Sequence, residues 1–160
     1  MEEQFQRLLA ANGPALLRLA ASYTRNQSDR DDLFQEIALA IWKALPGFRG
    51  DSSERTFIFR IAHNRGMSHI AKQKSFTSCD EPEEIVDPKP DPETSLTSEQ
   101  RYARLLQAIR RLPLQYRAVV TLMLEGMSYT EIAEVSGLSE SNVGVRLNRA
   151  RDMLRNYLED

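Results

Sequence analysis

The chain has 160 residues, of which 41% are hydrophobic and 28% are charged, and its formal net charge at pH 7 is −2. This length suits one ordinary domain or two small ones, and no apolar run approaches the roughly 20 residues of a membrane helix, so we expect no membrane insertion. Residues 1–4 lack the basic stretch of a secretory signal, which predicts a cytoplasmic protein.

The charge is unevenly distributed along the chain. Residues 1–75 carry 11 basic and 8 acidic groups, residues 76–100 carry 1 and 8, and residues 101–160 carry 9 and 7. Two mildly basic bodies therefore flank an acidic middle, and the negative total does not exclude a nucleic-acid partner. Between residues 60 and 74 there are four basic side chains and no acidic one, which suits phosphate binding and equally suits a solvated helix face.

The N-terminal body is predicted to be a bundle of three or four helices. Apolar residues recur at helical spacing over residues 5–23, with a break or kink expected at Gly13–Pro14. A second helix is expected to begin at an N-cap on Ser28, and a third to run over residues 53–75. The inner stripe of the second helix is predicted to contain Leu33, Ile37, Ala40, Ile41 and Ala44.

Residues 76–97 are predicted to be an extended linker. They contain four prolines, seven acidic residues and few large apolar groups, so they cannot bury enough surface to offset the entropy of ordering. The single cysteine, Cys79, lies in this segment and has no disulfide partner. We interpret it as an incidental loop thiol in a reducing compartment, with a redox sensor or ligand as the alternative.

The C-terminal body is predicted to contain four helices. One apolar stripe ends at Pro113 and a second is closed by Gly126. Residues 128–131 have the pattern of a capping box, and Ser139 is a candidate N-cap for a last helix running to about residue 157.

The last two of these helices have the arrangement of a helix-turn-helix motif, with Gly137 in the turn between them. Between residues 141 and 155 there are four arginines and one acidic residue, Asp152, whereas an ordinary surface helix mixes both signs. Arginine binds guanine edges bidentately, and short polar groups reach bases or phosphates, so this pattern favours DNA contact. The face opposite the apolar stripe consists of Ser141, Asn142, Val145, Arg146, Arg149 and Asp152.

Two sets of motifs resemble the extracytoplasmic-function sigma factors of the sigma-70 family. The segment Ser-Tyr-Thr-Glu-Ile-Ala-Glu-Val-Ser-Gly-Leu-Ser at residues 128–139, followed by residues 142–151, is similar to region four, which reads the minus-thirty-five promoter element. Asp-Leu-Phe-Gln-Glu at residues 32–36, followed by residues 48–52 and 55–64, is similar to region two. Both sets occur in the order typical of the family, over nearly the whole chain.

The resemblance implies an all-α fold of two small domains, with region two at residues 1–75, the acidic linker at 76–97 and region four at 98–160. It implies a sigma factor that binds core RNA polymerase and directs it to initiate transcription at promoters. The partners implied are the clamp helices and the flap of the polymerase, promoter DNA and an anti-sigma factor. The linker is expected either to thread polymerase channels as a phosphate mimic or to serve as a soluble tether.

The resemblance also assigns roles to individual residues. The polymerase-docking surface is expected to contain Asp32, Gln35, Glu36 and Trp42. The minus-ten element is expected to meet Phe48, Arg49, Asp51, Phe59, Arg60, His63, Asn64 and Arg65. The minus-thirty-five element is expected to meet Ser141, Asn142, Val145, Arg146 and Arg149.

Some of these assignments have alternatives. The acidic residues of the second helix could act in N-terminal capping, and Trp42 could belong to the core rather than to an interface. Phe57 stands where the family usually has Trp, and together with Ile61 we expect it to be structural. Gly144 and Val145 replace a basic and a small polar residue of the family pattern, which leaves the minus-thirty-five specificity open.

Other functional classes fit less well. We expect no metal and no cofactor, because His63 and His69 lie six residues apart on one helix and no phosphate-binding loop or catalytic motif is present. We therefore expect no enzymatic activity. A dimeric helix-turn-helix regulator that binds operators without the polymerase remains an alternative, as does a purely helical adaptor.

Overall fold

The computed structural model describes residues 1–76 and 97–159, with side chains from 1–73 and 97–159. Within these ranges the chain is all-α, as predicted. The predicted linker and Cys79 lie outside the described residues, except for residues 76 and 97. The helices are α1 (Glu2–Ser22), α2 (Gln27–Ala44), a 3-10 turn (Leu45–Gly47), α3 (Glu54–Phe76), α4 (Ser98–Arg111), α5 (Leu114–Leu124), α6 (Tyr129–Ser136) and α7 (Glu140–Glu159).

The N-terminal half is a bundle of α1, α2 and α3. Helix α1 continues through Pro14, so the predicted break is wrong. One continuous face of this helix is buried at Leu8, Leu16 and Leu19. The free energy gained by that burial outweighs the loss of the backbone hydrogen bond that a proline removes.

The ends of the helices in this half follow local capping chemistry. The N-cap of α2 is Asn26, not Ser28, because the Asn26 side chain accepts a hydrogen bond of 2.8 Å from the Asp29 backbone N–H. Asparagine is as good a cap as serine, so capping preference alone does not separate these two positions. For α3 the predicted start is confirmed, since Ser53 Oγ accepts a hydrogen bond of 3.0 Å from the Thr56 N–H.

The C-terminal half consists of α4 to α7. The helix ends and caps predicted at Pro113, residues 128–131, Gly137 and Ser139 are confirmed. Helix α4 ends at Arg111, just before Pro113. Ser128 and Glu131 form the capping box of α6, with hydrogen bonds of 3.2 and 3.0 Å. Gly137 ends that helix at a φ of 79°, and Ser139 Oγ accepts a hydrogen bond of 3.1 Å from the third residue of α7.

The two halves pack directly against each other. Helix α3 contacts α6, and α1 contacts both α4 and α5. Buried apolar side chains of both halves form one continuous core. Within residues 1–76 and 97–159, no helix combines the length and the apolar character needed to cross a membrane.

Candidate nucleic-acid interface

Helix α7 has one buried and one solvent-facing side. Val143, Leu147 and Ala150 are fully buried, because residues three and four apart share a helix face and this face packs on α5 and α6. Arg146 lies at the edge and is half-buried. The exposed side carries Ser141, Asn142, Val145, Asn148, Arg149 and Asp152. The structure thus presents to solvent the face that the sequence predicts for DNA contact.

The two helices of the motif are tied together at their N-terminal ends. Thr130 in the first turn of α6 donates a hydrogen bond of 2.7 Å to Glu140 Oε1 in the first turn of α7. The first turns of the two helices therefore lie close together.

Helix α3 divides the predicted minus-ten residues into exposed and buried groups. Arg60, Asn64 and Arg65 are exposed. Phe59, by contrast, is 0% exposed and His63 is 6% exposed, so the prediction that these two touch DNA does not hold in this arrangement. Positions 59, 62, 63 and 66 repeat at the spacing of a single helix face, and that face packs into the core.

Burial determines the chemistry of His63. Desolvation lowers its pKa from the usual 6.5, because the charged imidazolium loses its contact with water. Within the described residues its Nδ1 atom has no hydrogen-bond partner. Burial therefore favours the neutral form of His63, whose side chain packs in the core. Among the side chains of 1–73 and 97–159, no three His, Cys, Asp or Glu residues come together in a way that could hold a metal ion.

An aromatic pair joins the loop before α3 to the first turn of that helix. The rings of Phe48 and Phe57 lie 4.6 Å apart between centroids, with an interplanar angle of 40°. Both side chains are half-buried, whereas Arg49 and Asp51 are exposed. Phe57 and Ile61 pack against the core, as predicted. The loop thus combines a partly accessible aromatic surface with flanking charges.

Helix α2 presents polar residues to solvent. Asp32, Gln35 and Glu36 are exposed, and Leu39 on the same helix is 53% exposed. Trp42 is half-buried and meets the Phe5 ring edge-on at 5.1 Å, so its ring packs on α1 while part of it stays accessible. N-terminal capping accounts for Asn26 and Asp29 but not for these three exposed residues.

Three arginines of the N-terminal half reach the C-terminal half. Arg18 donates two hydrogen bonds, of 2.8 and 2.6 Å, to the Glu125 carboxylate. Arg55 donates to the Glu125 backbone carbonyl, and its guanidinium lies 5.5 Å from the centre of the Phe59 ring. Arg60 donates a hydrogen bond of 3.3 Å to the Glu134 carbonyl of α6. One of the exposed basic residues of α3 is therefore also a contact to the helix-turn-helix motif.

Two arginines of the C-terminal half reach back to the end of α1. Arg110 donates a hydrogen bond of 3.1 Å to the Ala21 carbonyl, and Arg117 donates one of 3.4 Å to the Ser22 carbonyl. The last turn of α1 has no basic residue of its own. Because helix C-termini leave carbonyls unpaired and attract positive charge, these arginines cap α1 from the other half.

We call these five arginines and their acceptors the inter-half contact. Sequence reasoning missed it, since each bond joins residues 70 to 107 positions apart. No local pattern indicates which arginines bridge the two halves.

Comparisons with known proteins agree with both halves of the site. The family model described as sigma-70 region 2 matches residues 8–76, and the model described as sigma-70, region 4 matches residues 102–154. The chain is 32% identical to RNA polymerase sigma factor NccH of Alcaligenes xylosoxydans xylosoxydans, over 97% of this chain and 87% of that protein. It is 30% identical to the ECF RNA polymerase sigma-E factor of Escherichia coli strain K12, over 82% and 74%.

Solved structures show the same architecture. The chain resembles CnrH in complex with the cytosolic domain of CnrY, with a TM-score of 0.74 and 28% identity over 99% of this chain and 90% of that one. It also resembles RpoE in complex with the anti-sigma factor NepR from Bartonella quintana, with a TM-score of 0.79 over 98% of each chain. Identity to RpoE is 24%, so this second likeness concerns the fold alone.

Proposed function

Because the chain belongs to the sigma-70 family of RNA polymerase sigma factors, in its extracytoplasmic-function group, we propose how its two halves divide promoter recognition. The protein is a sigma factor, which binds core RNA polymerase and directs transcription initiation. The N-terminal half, residues 1–75, docks on the polymerase and opens the minus-ten element. The C-terminal half, residues 98–160, reads the minus-thirty-five element, and residues 76–97 connect them. We assign the chain no catalytic step of its own.

The single observation that carries this proposal is the match of one chain to two sigma regions in the family order. A dimeric operator-binding regulator needs only the helix-turn-helix half, and it does not account for the N-terminal match. We therefore set that alternative aside.

The docking surface is assigned to α2. Its support is the exposure of Asp32, Gln35 and Glu36 beside the exposed Leu39. An apolar side chain among charges is typical of an interface whose centre is apolar and whose rim is polar. Trp42 contributes the accessible part of its ring to the edge of this surface.

The minus-ten surface is assigned to the loop before α3 and to the outer face of α3. Arg60, Asn64 and Arg65 are positioned to follow the phosphates of an opened strand, together with Arg49. Phe48 offers an aromatic surface that can replace the stacking of an unpaired base, and Asp51 lies at its border. Phe59 and His63 act beneath this surface by holding α3 on the bundle.

The minus-thirty-five surface is assigned to α7. Its support is a polar face that the fold leaves open, since the stripe of Val143 and Leu147 faces inward. The residues proposed to contact DNA are Ser141, Asn142, Val145, Arg146 and Arg149. Arginine at such positions pairs with guanine edges, and the hydroxyl and amide groups fix the helix on the phosphates.

The proposed partners are core RNA polymerase, through its clamp helices and flap, promoter DNA, and an anti-sigma factor. Support for the last comes from the solved structure of CnrH, which is in complex with the cytosolic domain of CnrY. We place the protein in the cytoplasm, where bacterial polymerase works.

The direct test is initiation in a purified system. The chain is added to bacterial core polymerase together with a pool of promoter fragments from the source genome, and run-off transcripts are sequenced. We expect initiation at a defined set of promoters that the core enzyme alone does not use. Transcription indistinguishable from that of the core enzyme would refute the proposed function.

A further inference from the structure

We propose that Val145 recognises the C5 methyl group of a thymine in the DNA element that α7 contacts. This inference rests on the proposed role of α7 and adds the chemical feature that one residue reads. It starts from an exposed apolar side chain. Val145 is 46% exposed and is the exposed large hydrophobic residue of α7 within the described part of that helix.

The fold gives no reason for a valine at this position. The buried stripe of α7 lies on the opposite side, where Val143 and Leu147 are fully buried. On an exposed helix face a β-branched residue has a lower helix propensity than arginine, lysine, glutamine or glutamate. Val145 therefore adds nothing to the core and slightly disfavours the helix.

Its neighbours place Val145 in the middle of a polar surface. Residues three and four positions away on a helix are spatial neighbours, and these are Ser141, Asn142, Asn148 and Arg149, all of which are exposed. They can donate hydrogen bonds to base edges or phosphates, whereas an isopropyl group cannot. Val145 is thus an apolar side chain surrounded by residues that can form hydrogen bonds.

Gly144, the adjacent residue, strengthens the case. A Cβ at this position would lie 3.5 Å from Cε2 of Tyr129, which is an ordinary contact, so packing does not require a glycine there. Glycine also disfavours a helix interior. Its missing side chain leaves the backbone of α7 uncovered on the side toward Tyr129, next to Val145.

The major groove offers one apolar group among the base edges, the methyl of thymine; cytosine and both purines present donors and acceptors instead. A valine held against this methyl removes both groups from water. The charged phosphates offer an isopropyl group no comparable apolar partner. The chemistry of the residue therefore selects a T·A pair.

The experiment uses the full chain with core polymerase. Promoter duplexes are selected for initiation from a pool randomised across the minus-thirty-five region, and each selected thymine is then replaced by deoxyuridine, which lacks the methyl but keeps the pairing. We expect one replacement to lower initiation about fourfold, the effect of losing one buried methyl-sized group. With Val145→Ala we expect the methyl-bearing promoter to be used about fourfold less and the same replacement to have no effect.

Two further variants make the result specific. Val145→Thr keeps one methyl and is expected to retain part of the deoxyuridine effect; it also replaces Val145→Ala in the comparison if that variant does not fold. Asn156→Ala, at an exposed position near the end of α7, is expected to leave the effect unchanged. The inference is overturned if no thymine is selected, if no replacement alters initiation, or if the deoxyuridine effect is as large in the Val145 variants as in the parent chain. Failure to initiate at any promoter would instead refute the proposed function.

Discussion

Arg18 and Glu125, which are 107 residues apart in the sequence, are joined by two parallel hydrogen bonds across the two halves of the chain. The Glu125 side chain is 9% exposed and that of Arg18 is 48% exposed. Arg55 holds the backbone carbonyl of the same residue. Glu125 in the C-terminal half is therefore bound by arginines from two helices of the N-terminal half, α1 and α3.

Glu125→Ala is expected to loosen the inter-half contact. A bidentate charge-assisted pair with one exposed partner contributes on the order of 1 kcal/mol, which is about a fivefold change in the ratio of packed to separated halves. Fluorescence transfer between dyes on α2 and α7 reports this ratio. Glu134→Ala is the matched control, since Arg60 bonds to the Glu134 backbone, which the substitution keeps. Equal transfer efficiencies in the two variants would contradict the prediction.

Gly66→Ala is expected to destabilise the N-terminal bundle. A Cβ at Gly66 would lie 2.7 Å from Cδ2 of Tyr23 and 2.9 Å from its Cε2. Because Tyr23 is buried, its ring has little room to move, and overpacking of this kind costs roughly 1–3 kcal/mol, more than the gain in helix propensity of about 1 kcal/mol.

Urea denaturation followed by circular dichroism measures this change in the free energy of unfolding. Gly47→Ala in the turn after α2 is the control, because a Cβ there would meet no atom within 4 Å beyond its chain neighbours and its φ is not positive. That variant should be as stable as the parent or slightly more so. A Gly66→Ala variant as stable as Gly47→Ala would show that the tyrosine ring can move aside.

The sequence predicted the local features of the fold well. The helix start at Ser53, the caps at Ser128 and Ser139 and the turn at Gly137 depend on residues within a few positions of each other, and all four are confirmed. The start of α2 was placed wrongly because Asn26 competes with Ser28 for the same role. Such errors are limited to about one helical turn, since capping is a local choice.

Features that depend on distant partners could not be predicted in the same way. The continuity of α1 through Pro14 depends on burial against other helices, which overrides the local cost of the proline. Phe59 and His63 occupy motif positions that were predicted to contact DNA. Which face of α3 is buried, however, depends on the helices that pack against it. The inter-half contact forms only when the two halves approach each other, and the spacing of the arginines in the sequence does not indicate that approach.

The buried His63 predicts a pH dependence of stability. Its pKa is lowered by desolvation in the folded chain, so the unfolded chain binds the proton more tightly. The stabilising effect of the neutral residue is complete above the unfolded value of about 6.5 and is lost as the pH falls below it. We expect the urea midpoint of the parent to fall between pH 7.5 and pH 5.5 by more than that of His63→Gln. Parallel pH profiles for the two proteins would contradict a buried neutral histidine.

Arg149→Ala is expected to weaken promoter use without weakening polymerase binding. The side chain is exposed on the outer face of α7, and a bidentate arginine–guanine pair contributes about 1–3 kcal/mol, which is roughly fivefold to 150-fold in occupancy.

Arg155→Ala, also exposed on α7 but nearer its C-terminus, serves as the control for simple loss of charge. A phosphate contact weakens all sequences alike and reduces the salt dependence of binding, whereas a base contact relaxes the preference at one position. Selection of promoters by each variant separates the two effects, because only Arg149→Ala should tolerate a new base in the selected element. Equal loss of polymerase binding and promoter use in Arg149→Ala would mean that this residue supports the structure of the C-terminal half rather than reading DNA.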